Sequence, residues 1–312
     1  MAPIEQIQRR ISLNDLRVLI GVVQAGSMGR AARRLATSQP AISRSISDLE
    51  HALGVRLLDR GRHGVEPTSY GRALVARGLA IFDELAQGIG EIQFLADPTA
   101  GQLRIGASIA ISVGLVAMII DRLSAVHPRL TFEMLSTDTT SAFQALATRQ
   151  VDLLVTHLVG PLADDGMDAD VLFDDPHVVV AAADSPWARR RRLRLPDLTD
   201  EPWLLPRPDA PYGAIVSEAF RAAGLAMPRT VVTSTLPLRT VLLGTGRYLS
   251  MIPRVALQFP GARQTIKVLP IELPSTPRPL AIVTLKNRTL NPVAQTFIDE
   301  VRKVAGSLAT KR

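Results

Sequence analysis

The sequence predicts an α/β chain preceded by a small all-helical unit and one long helix. Three observations predict it: short capped helices up to residue 54, a proline-free helical run from 68 to about 97, and then alternating strand-like and helix-like pieces. The 312 residues, 46% hydrophobic and 21% charged, are enough for a buried core and two or three domains. There is no cysteine, which excludes disulfides, cysteine nucleophiles and thiolate metal sites and fits a reducing compartment. The start, MAPIEQIQRRISLNDL, has neither an apolar core nor a small-residue cleavage site, so it does not read as a secretory signal. The longest apolar stretch, 107–120, is interrupted by Ser108, Ser112 and Gly114 and is too short to span a bilayer. A cytoplasmic protein with no membrane partner is the expectation.

The first helix is marked by Leu16, Leu19, Ile20 and Val23 at helical spacing, and Gly26 ends it. Ser27 reads as the N-cap of a short helix over 28–36, whose Ala31, Ala32 and Leu35 form a small-residue face for another helix to cross. Ser38 reads as the next N-cap, with Pro40 in the first turn, where its missing N–H costs nothing. Ile42, Ile46, Leu49 and Leu53 then recur at four, three and four residues, and Gly54 stops the helix.

The opposite face of this third helix carries Gln39, Ser43, Arg44 and Ser47, near the end where a helix-turn-helix puts groups that reach base edges. Glutamine pairs bidentately with adenine and arginine with guanine. Residues 1–70 hold ten arginines against six acids, a net +4, which suits phosphate. A plain three-helix packing unit with a solvated polar face accounts for the same pattern. The stretch VRLLDRGRHGVEPTSYG adds Leu57 and Leu58, a Gly-Arg-His-Gly turn and an extended piece over 65–67, a small β-wing that offers Arg60, Arg62 or His63 to phosphates or the minor groove.

Taken in order, Ala25-Gly26-Ser27, Ala31-Ala32-Arg33-Arg34-Leu35, Ser38-Gln39-Pro40-Ala41-Ile42-Ser43, Leu49-Glu50, Leu53-Gly54-Val55, Leu57, Arg60 and Thr68 to Gly71 resemble the N-terminal winged helix of LysR-type transcriptional regulators. Met28, Leu58 and Pro67 depart from the family's usual larger apolar residue, Phe and Leu at those places. The resemblance implies α/β with an N-terminal all-α winged helix-turn-helix, a long linker helix and a two-lobed periplasmic-binding-protein-like effector domain. The corresponding divisions are 1–67, 68–97 and 98–312, with lobe one over about 102–171 and 272–306 and lobe two over about 172–271. It implies DNA contacts from Ser27, Arg33, Arg34, Ser38, Gln39, Pro40, Ser43, Arg44, Arg60, Arg62 and His63. Its implied partners are a double-stranded DNA operator with an interrupted inverted repeat, a small-molecule effector, RNA polymerase, and further copies of the chain in a homodimer or homotetramer. Within the family, RPLAIVTLKNRTLNPVAQTFIDEVRKV resembles regulators of aromatic-acid degradation and of sugar-binding-protein genes, so an aromatic acid or a sugar-derived ligand is the expected effector.

Thr68 reads as a cap for the long helix. Leu74, Gly78, Ile81, Leu85, Gly88, Ile92 and Leu95 follow four- and three-residue steps, with Val75, Leu79, Phe82, Ala86 and Ile89 alongside, a surface that needs a partner; packing within its own domain is the alternative. DPTAG at 97–101 reads as a hinge. Strands are expected at 103–107, 131–135, 152–156 and 178–182, with helices at 113–126, 141–149 and 212–223, in mostly parallel sheets. Ligands of such sheets bind at the carboxyl ends of strands, which puts Ser108, Thr137, Thr139, Thr156, His157, Ser234 and Thr235 forward as effector-binding candidates. Serine and threonine at those turns also serve as plain helix caps.

No Gly-x-Ser-x-Gly elbow, Walker loop or Gly-x-Gly-x-x-Gly occurs, and His51, His63, His127, His157 and His177 lack metal-ligand spacing, so neither catalysis, a cofactor nor a metal is expected. The run ARRRRLRLP reads as a solvated loop edge, and Trp187 and Trp203 as core of lobe two. Two other classes fit parts of the pattern: a solute-binding module with a helical appendage, and an architectural protein that binds DNA without a preferred operator.

Overall fold

The computed structural model describes residues 4–61, 64–136, 139–158, 162, 166–233, 236–258, 264–273 and 278–309. The chain divides into two compact units, Met1–Ile89 and Gly90–Arg312.

The first unit holds α1 (Ile4–Gln8), α2 (Leu13–Ala25), α3 (Met28–Arg34), α4 (Gln39–Leu53), the hairpin β1 (Leu58–Gly61) and β2 (Gly64–Pro67), and the start of α5 (Ser69–Ala96). Each short helix forms where its sequence caps it. Ser12 and Asp15 make a capping box on α2, Ser27 accepts the Arg30 N–H on α3, and Ser38 accepts the Ala41 N–H on α4. Gly26 and Gly54 end α2 and α4 in the left-handed conformation. Helix α3 stops at Arg34, two residues before the expected end, because Ala36 takes a positive φ of 50°.

Leu19, Val22, Ala31, Ala32, Ile42, Ile46, Leu49 and Leu57 make the core of this unit. Met28 and Leu58, two of the positions that depart from the family's usual residues, are buried in it, and Pro67 pairs with Leu58 in the hairpin. Two unforeseen hydrogen bonds anchor the wing: Glu50 Oε1 accepts the N–H groups of Leu57 at 2.7 Å and Leu58 at 3.2 Å. At its far end Val65 N donates to the Gly26 carbonyl, and a Cβ on Gly64 would meet that same oxygen at 2.7 Å, so only glycine fits.

The second unit contains two five-stranded sheets. Its elements are β3 (Ala100–Ala107), α6 (Ile109–Ile111), α7 (Ala117–Val126), β4 (Arg129–Ser136), α8 (Thr139–Ala147), β5 (Leu153–His157), β6 (Met167–Asp174), β7 (His177–Ala182), β8 (Trp203–Leu205), α9 (Pro211–Ala222), β9 (Thr230–Thr233), α10 (Leu236–Leu243), β10 (Leu249–Pro253), β11 (Ile266–Val268), β12 (Pro279–Leu285) and α11 (Pro292–Ala309). The lobe-one sheet runs β4-β3-β5-β12-β6 and the lobe-two sheet β11-β7-β10-β8-β9.

Both sheets are mixed, which corrects the expectation of mostly parallel pairing. Strand β3 is parallel to β4 and β5, while β12 is antiparallel to β5 and β6; β8 is parallel to β9 and β10, while β7 is antiparallel to β10 and β11. The reason is topological. The chain leaves lobe one along β6 and re-enters it along β12, and strands made by such crossings need not share the direction of the βαβ units beside them.

Helix α6, a π-helical turn over Ser112–Val116 and α7 join into one 18-residue rod, Ile109–Val126. That is longer than the apolar run read from the sequence and, by length and composition, enough to cross a membrane. Its Ile111, Leu115, Val116, Ile119 and Leu123 are instead buried against β3, β5, β12 and α11, which makes it a core helix of lobe one. Within the π turn Gly114 packs against the Val255 carbonyl, where a Cβ would overlap the backbone. Trp187 and Trp203 are buried in the lobe-two core, and Arg189, Arg190, Arg191, Arg192 and Arg194 are exposed on the loop between. His127 caps the end of α7.

Candidate nucleic-acid interface and inter-lobe cluster

In the first unit α4 turns Ile42, Ile46 and Leu49 inward, and that fixes what faces out. Gln39, Pro40, Arg44 and Ser47 are exposed along the first two turns, and Ser43 is half-buried at their edge. Arg33 and Arg34 stand exposed in the last turn of α3, and Arg60 is exposed on β1 of the wing. Among the described residues none of these four arginines, Arg44 included, is within ion-pairing distance of a carboxylate. Ser27 and Ser38 are engaged as N-caps, which leaves each hydroxyl hydrogen free to donate outward. Arg62 and His63 lie outside the described residues. The face is therefore a short polar helix end flanked by exposed guanidinium groups, the chemistry that pairs with phosphates and base edges.

In the second unit the structure brings together residues far apart in the chain. Ser108 follows β3, His157 ends β5, Asp175 lies in the crossing between β6 and β7, and Tyr212 enters from the first turn of α9 in lobe two. Ser108 Oγ is 3.0 Å from Tyr212 Oη, Tyr212 Oη is 3.1 Å from His157 Nδ1, and His157 Nε2 is 2.8 Å from Asp175 Oδ2. Asp175 Oδ1 accepts the Val255 N–H at 2.9 Å. With the ring hydrogen on Nε2, donated to Asp175, Nδ1 accepts the phenol hydrogen and Tyr212 Oη accepts that of Ser108.

The cluster is largely buried. Burial raises the Tyr212 pKa, outweighing the Ser108 hydrogen bond that lowers it, and the Asp175 charge adds to the rise. The ring of His177 lies 5.9 Å from that of Tyr212, and burial first, then electrostatic interaction with His157 and the charges of Arg278 and Arg239, push its pKa down from 6.5 to about 3.

The other effector candidates are placed differently. Thr156 is buried beside this cluster, and its hydroxyl donates to the His157 carbonyl. Thr139 begins α8. Thr137, Ser234 and Thr235 lie outside the described residues. Tyr212, Asp175, His177 and Arg239 were not singled out for this site by the sequence, which carries no local signal for them.

Two family models match the chain: "Bacterial regulatory helix-turn-helix protein, lysR family" over residues 13–72, and "LysR substrate binding domain" over 96–306. The chain belongs to the LysR family of transcriptional regulators. Like other LysR-family chains it carries a DNA-binding helix-turn-helix and a substrate-binding domain. It is 26% identical to the HTH-type transcriptional regulator GbpR of Azospirillum brasilense, over 95% of this chain and 87% of that relative. A full-length OxyR variant from Pseudomonas aeruginosa matches with TM-score 0.67 and 27% identity, covering 94% of this chain and 95% of that one. Full-length CbnR in complex with its target DNA shares the fold, with TM-score 0.61 and 22% identity over 94% of this chain and 99% of that one.

Proposed function

We propose that this LysR-family chain binds an interrupted inverted repeat as a dimer or tetramer, and that a small molecule held between the lobes of its effector domain switches transcription at that site. In this reading residues 1–67 bind DNA, 68–97 pair protomers, and 98–312 hold the effector. The observation that carries it is the outward end of α4, where Gln39, Arg44 and Ser47 stand exposed while Ser38 caps the helix and Glu50 bolts the wing beside it. Pairing is supported by α5, where Ile81 is 44% exposed, Leu85 and Ile89 48%, Ile92 69% and Leu95 74%, an apolar stripe at helical spacing that asks for a second helix. A two-fold dimer presents two reading helices, and so reads a repeat.

The protein acts in the cytoplasm, on DNA and with RNA polymerase, by binding rather than catalysis. Although Ser108, His157 and Asp175 are the residue types of a nucleophile triad, the Ser108 hydroxyl meets Tyr212 and not the imidazole.

Selection of genomic fragments by the purified protein tests the reading. Recovery of one interrupted palindrome, protected over both half-sites, is expected. Recovery of random or AT-rich fragments alone, with no shared sequence, overturns it in favour of an architectural protein.

A further inference from the structure

The phenol of Tyr212 belongs to lobe two, yet its hydroxyl is held by Ser108 and His157 of lobe one. Behind it, Asp175 ties the chain of hydrogen bonds to both lobe crossings. Its carboxylate takes His157 Nε2 and the Val255 N–H, and its own N–H donates to the Arg278 carbonyl at 2.9 Å. Whatever takes Tyr212 away from Ser108 unfastens a bridge between the lobes and disturbs the residues on which they turn.

Among the described residues the charges around this bridge do not balance. Asp175 is the one carboxylate in the hydrogen-bonded chain, and both its oxygens are engaged. Arg278 is half-buried and Arg239 is 5% exposed; among the described residues neither has a carboxylate partner. Arg239 Nη1 donates to Ser250 Oγ and to the Met251 carbonyl, each at 3.4 Å, and among the described residues its Nε has no acceptor. Burial pushes its pKa down to about 10, so it keeps its proton at neutral pH. Both arginines act on His177, whose ring packs against Tyr212, so their charge is felt at the bridge. A buried guanidinium without a counter-charge is costly, and an anion brought nearby relieves it.

Resting on the inter-lobe site as the place where the effector binds, we propose that Tyr212 is the group the effector displaces and that the effector is a small organic anion. Its anionic oxygen accepts the Ser108 hydroxyl hydrogen in place of Tyr212 Oη, drawn by Arg278 and Arg239. The ring that leaves makes room for a ligand of about its own size. Binding energy and lobe movement are thereby coupled, because the seat and the bridge are the same hydroxyl.

Titration calorimetry and thermal melting of the full chain at fixed ionic strength test this, with acetate and benzoate as probes against acetamide and benzamide. The anions are expected to bind and the amides not. Tyr212→Phe keeps the ring but removes the competing hydroxyl, and is expected to bind the same anion about 2- to 10-fold more tightly. Ser108→Ala is expected to lose it, and Arg239→Gln to weaken it, with melting and DNA binding as checks that each variant folds. Unchanged or weaker anion binding by Tyr212→Phe, equal binding of the amides, or no anion binding by Tyr212→Phe overturns the proposal. If Ser108→Ala abolishes the effector response while Tyr212→Phe binds no better, the inter-lobe site stands and displacement falls. If Ser108→Ala leaves ligand binding and switching intact, the inter-lobe site itself is wrong.

Discussion

Asp152 Oδ1 and Arg288 Nη2 lie 2.6 Å apart, although 136 residues separate them in the chain. Arg288 has a fully buried side chain and Asp152 is 4% exposed. The same carboxylate takes Arg104 Nη2 at 2.6 Å and the Arg104 backbone N–H at 2.7 Å, and Arg288 Nη1 donates to the carbonyls of Val151 and Asp152. One aspartate thus fastens β3, the start of β5 and the turn after β12, the three central strands of the lobe-one sheet.

Removing that carboxylate leaves Arg288 charged and enclosed. Asp152→Ala is expected to destabilise the second unit by about 3–5 kcal/mol in urea denaturation. Burial raises the Asp152 pKa, but the hydrogen bonds and charge of Arg104 and the charge of Arg288 outweigh it and hold the group below its ordinary 3.8. A depressed folded-state pKa means the stabilisation is complete above 3.8 and lost as pH falls through the folded value. The two proteins should converge in stability below about pH 4, and an undiminished gap down to pH 3 would refute the assignment.

His177 works in the same direction but in a higher window of the pH scale. Its pKa falls from 6.5 to about 3 on folding, chiefly through burial. The unfolded chain therefore binds one more proton between those values, and stability drops as pH falls from 6.5 towards 3. From pH 6.5 to 5 the loss from this group is about 1.5–2 kcal/mol. His177→Phe keeps a ring against Tyr212 and should flatten the stability profile over that range; identical slopes for the two proteins would show that His177 is not held neutral.

What was legible in the sequence was local. Ser27, Ser38, Gly26 and Gly54 announce helix ends because a cap bonds within three or four residues, and Ile42, Ile46 and Leu49 announce a buried face by spacing alone. Ser108 and His157 were singled out by position at strand ends, and the structure sets both against Tyr212. Tyr212 itself, 104 residues from Ser108, has no periodic or motif signal, and neither does the pairing of Asp152 with Arg288. Strand direction escapes the sequence for the same reason, since β12 returns to lobe one only after all of lobe two has been built.

Glu50 is a case where the residue was visible and its work was not. It takes the two backbone N–H groups that begin the wing, so Glu50→Ala strands two donors that β1 does not otherwise satisfy. The expected cost is about 1.5–3 kcal/mol, the range for hydrogen bonds to a charged group. Amide exchange locates it: Leu57 and Leu58 should lose protection while the core of α2 keeps most of its own. Unchanged protection at both amides would mean that the hairpin stands without Glu50.

The outward residues of the first unit separate into two kinds by what they can reach. On the proposed reading Gln39 and Arg44, exposed on the end of α4, pair bidentately with bases in the major groove, whereas Arg60, exposed on a wing strand, would meet phosphate or the minor groove. Gln39→Ala and Arg44→Ala should each cost about 1–3 kcal/mol on the selected operator and little on random DNA. Arg60→Ala should weaken binding to both kinds of DNA alike and lower the slope of log affinity against log salt by about 1. Titrations of each variant on operator and random duplexes at several salt concentrations decide the matter. Equal losses on both duplexes for Gln39→Ala and Arg44→Ala would make these residues phosphate contacts and move sequence reading to other groups of the same helix face, Ser43 and Ser47 first.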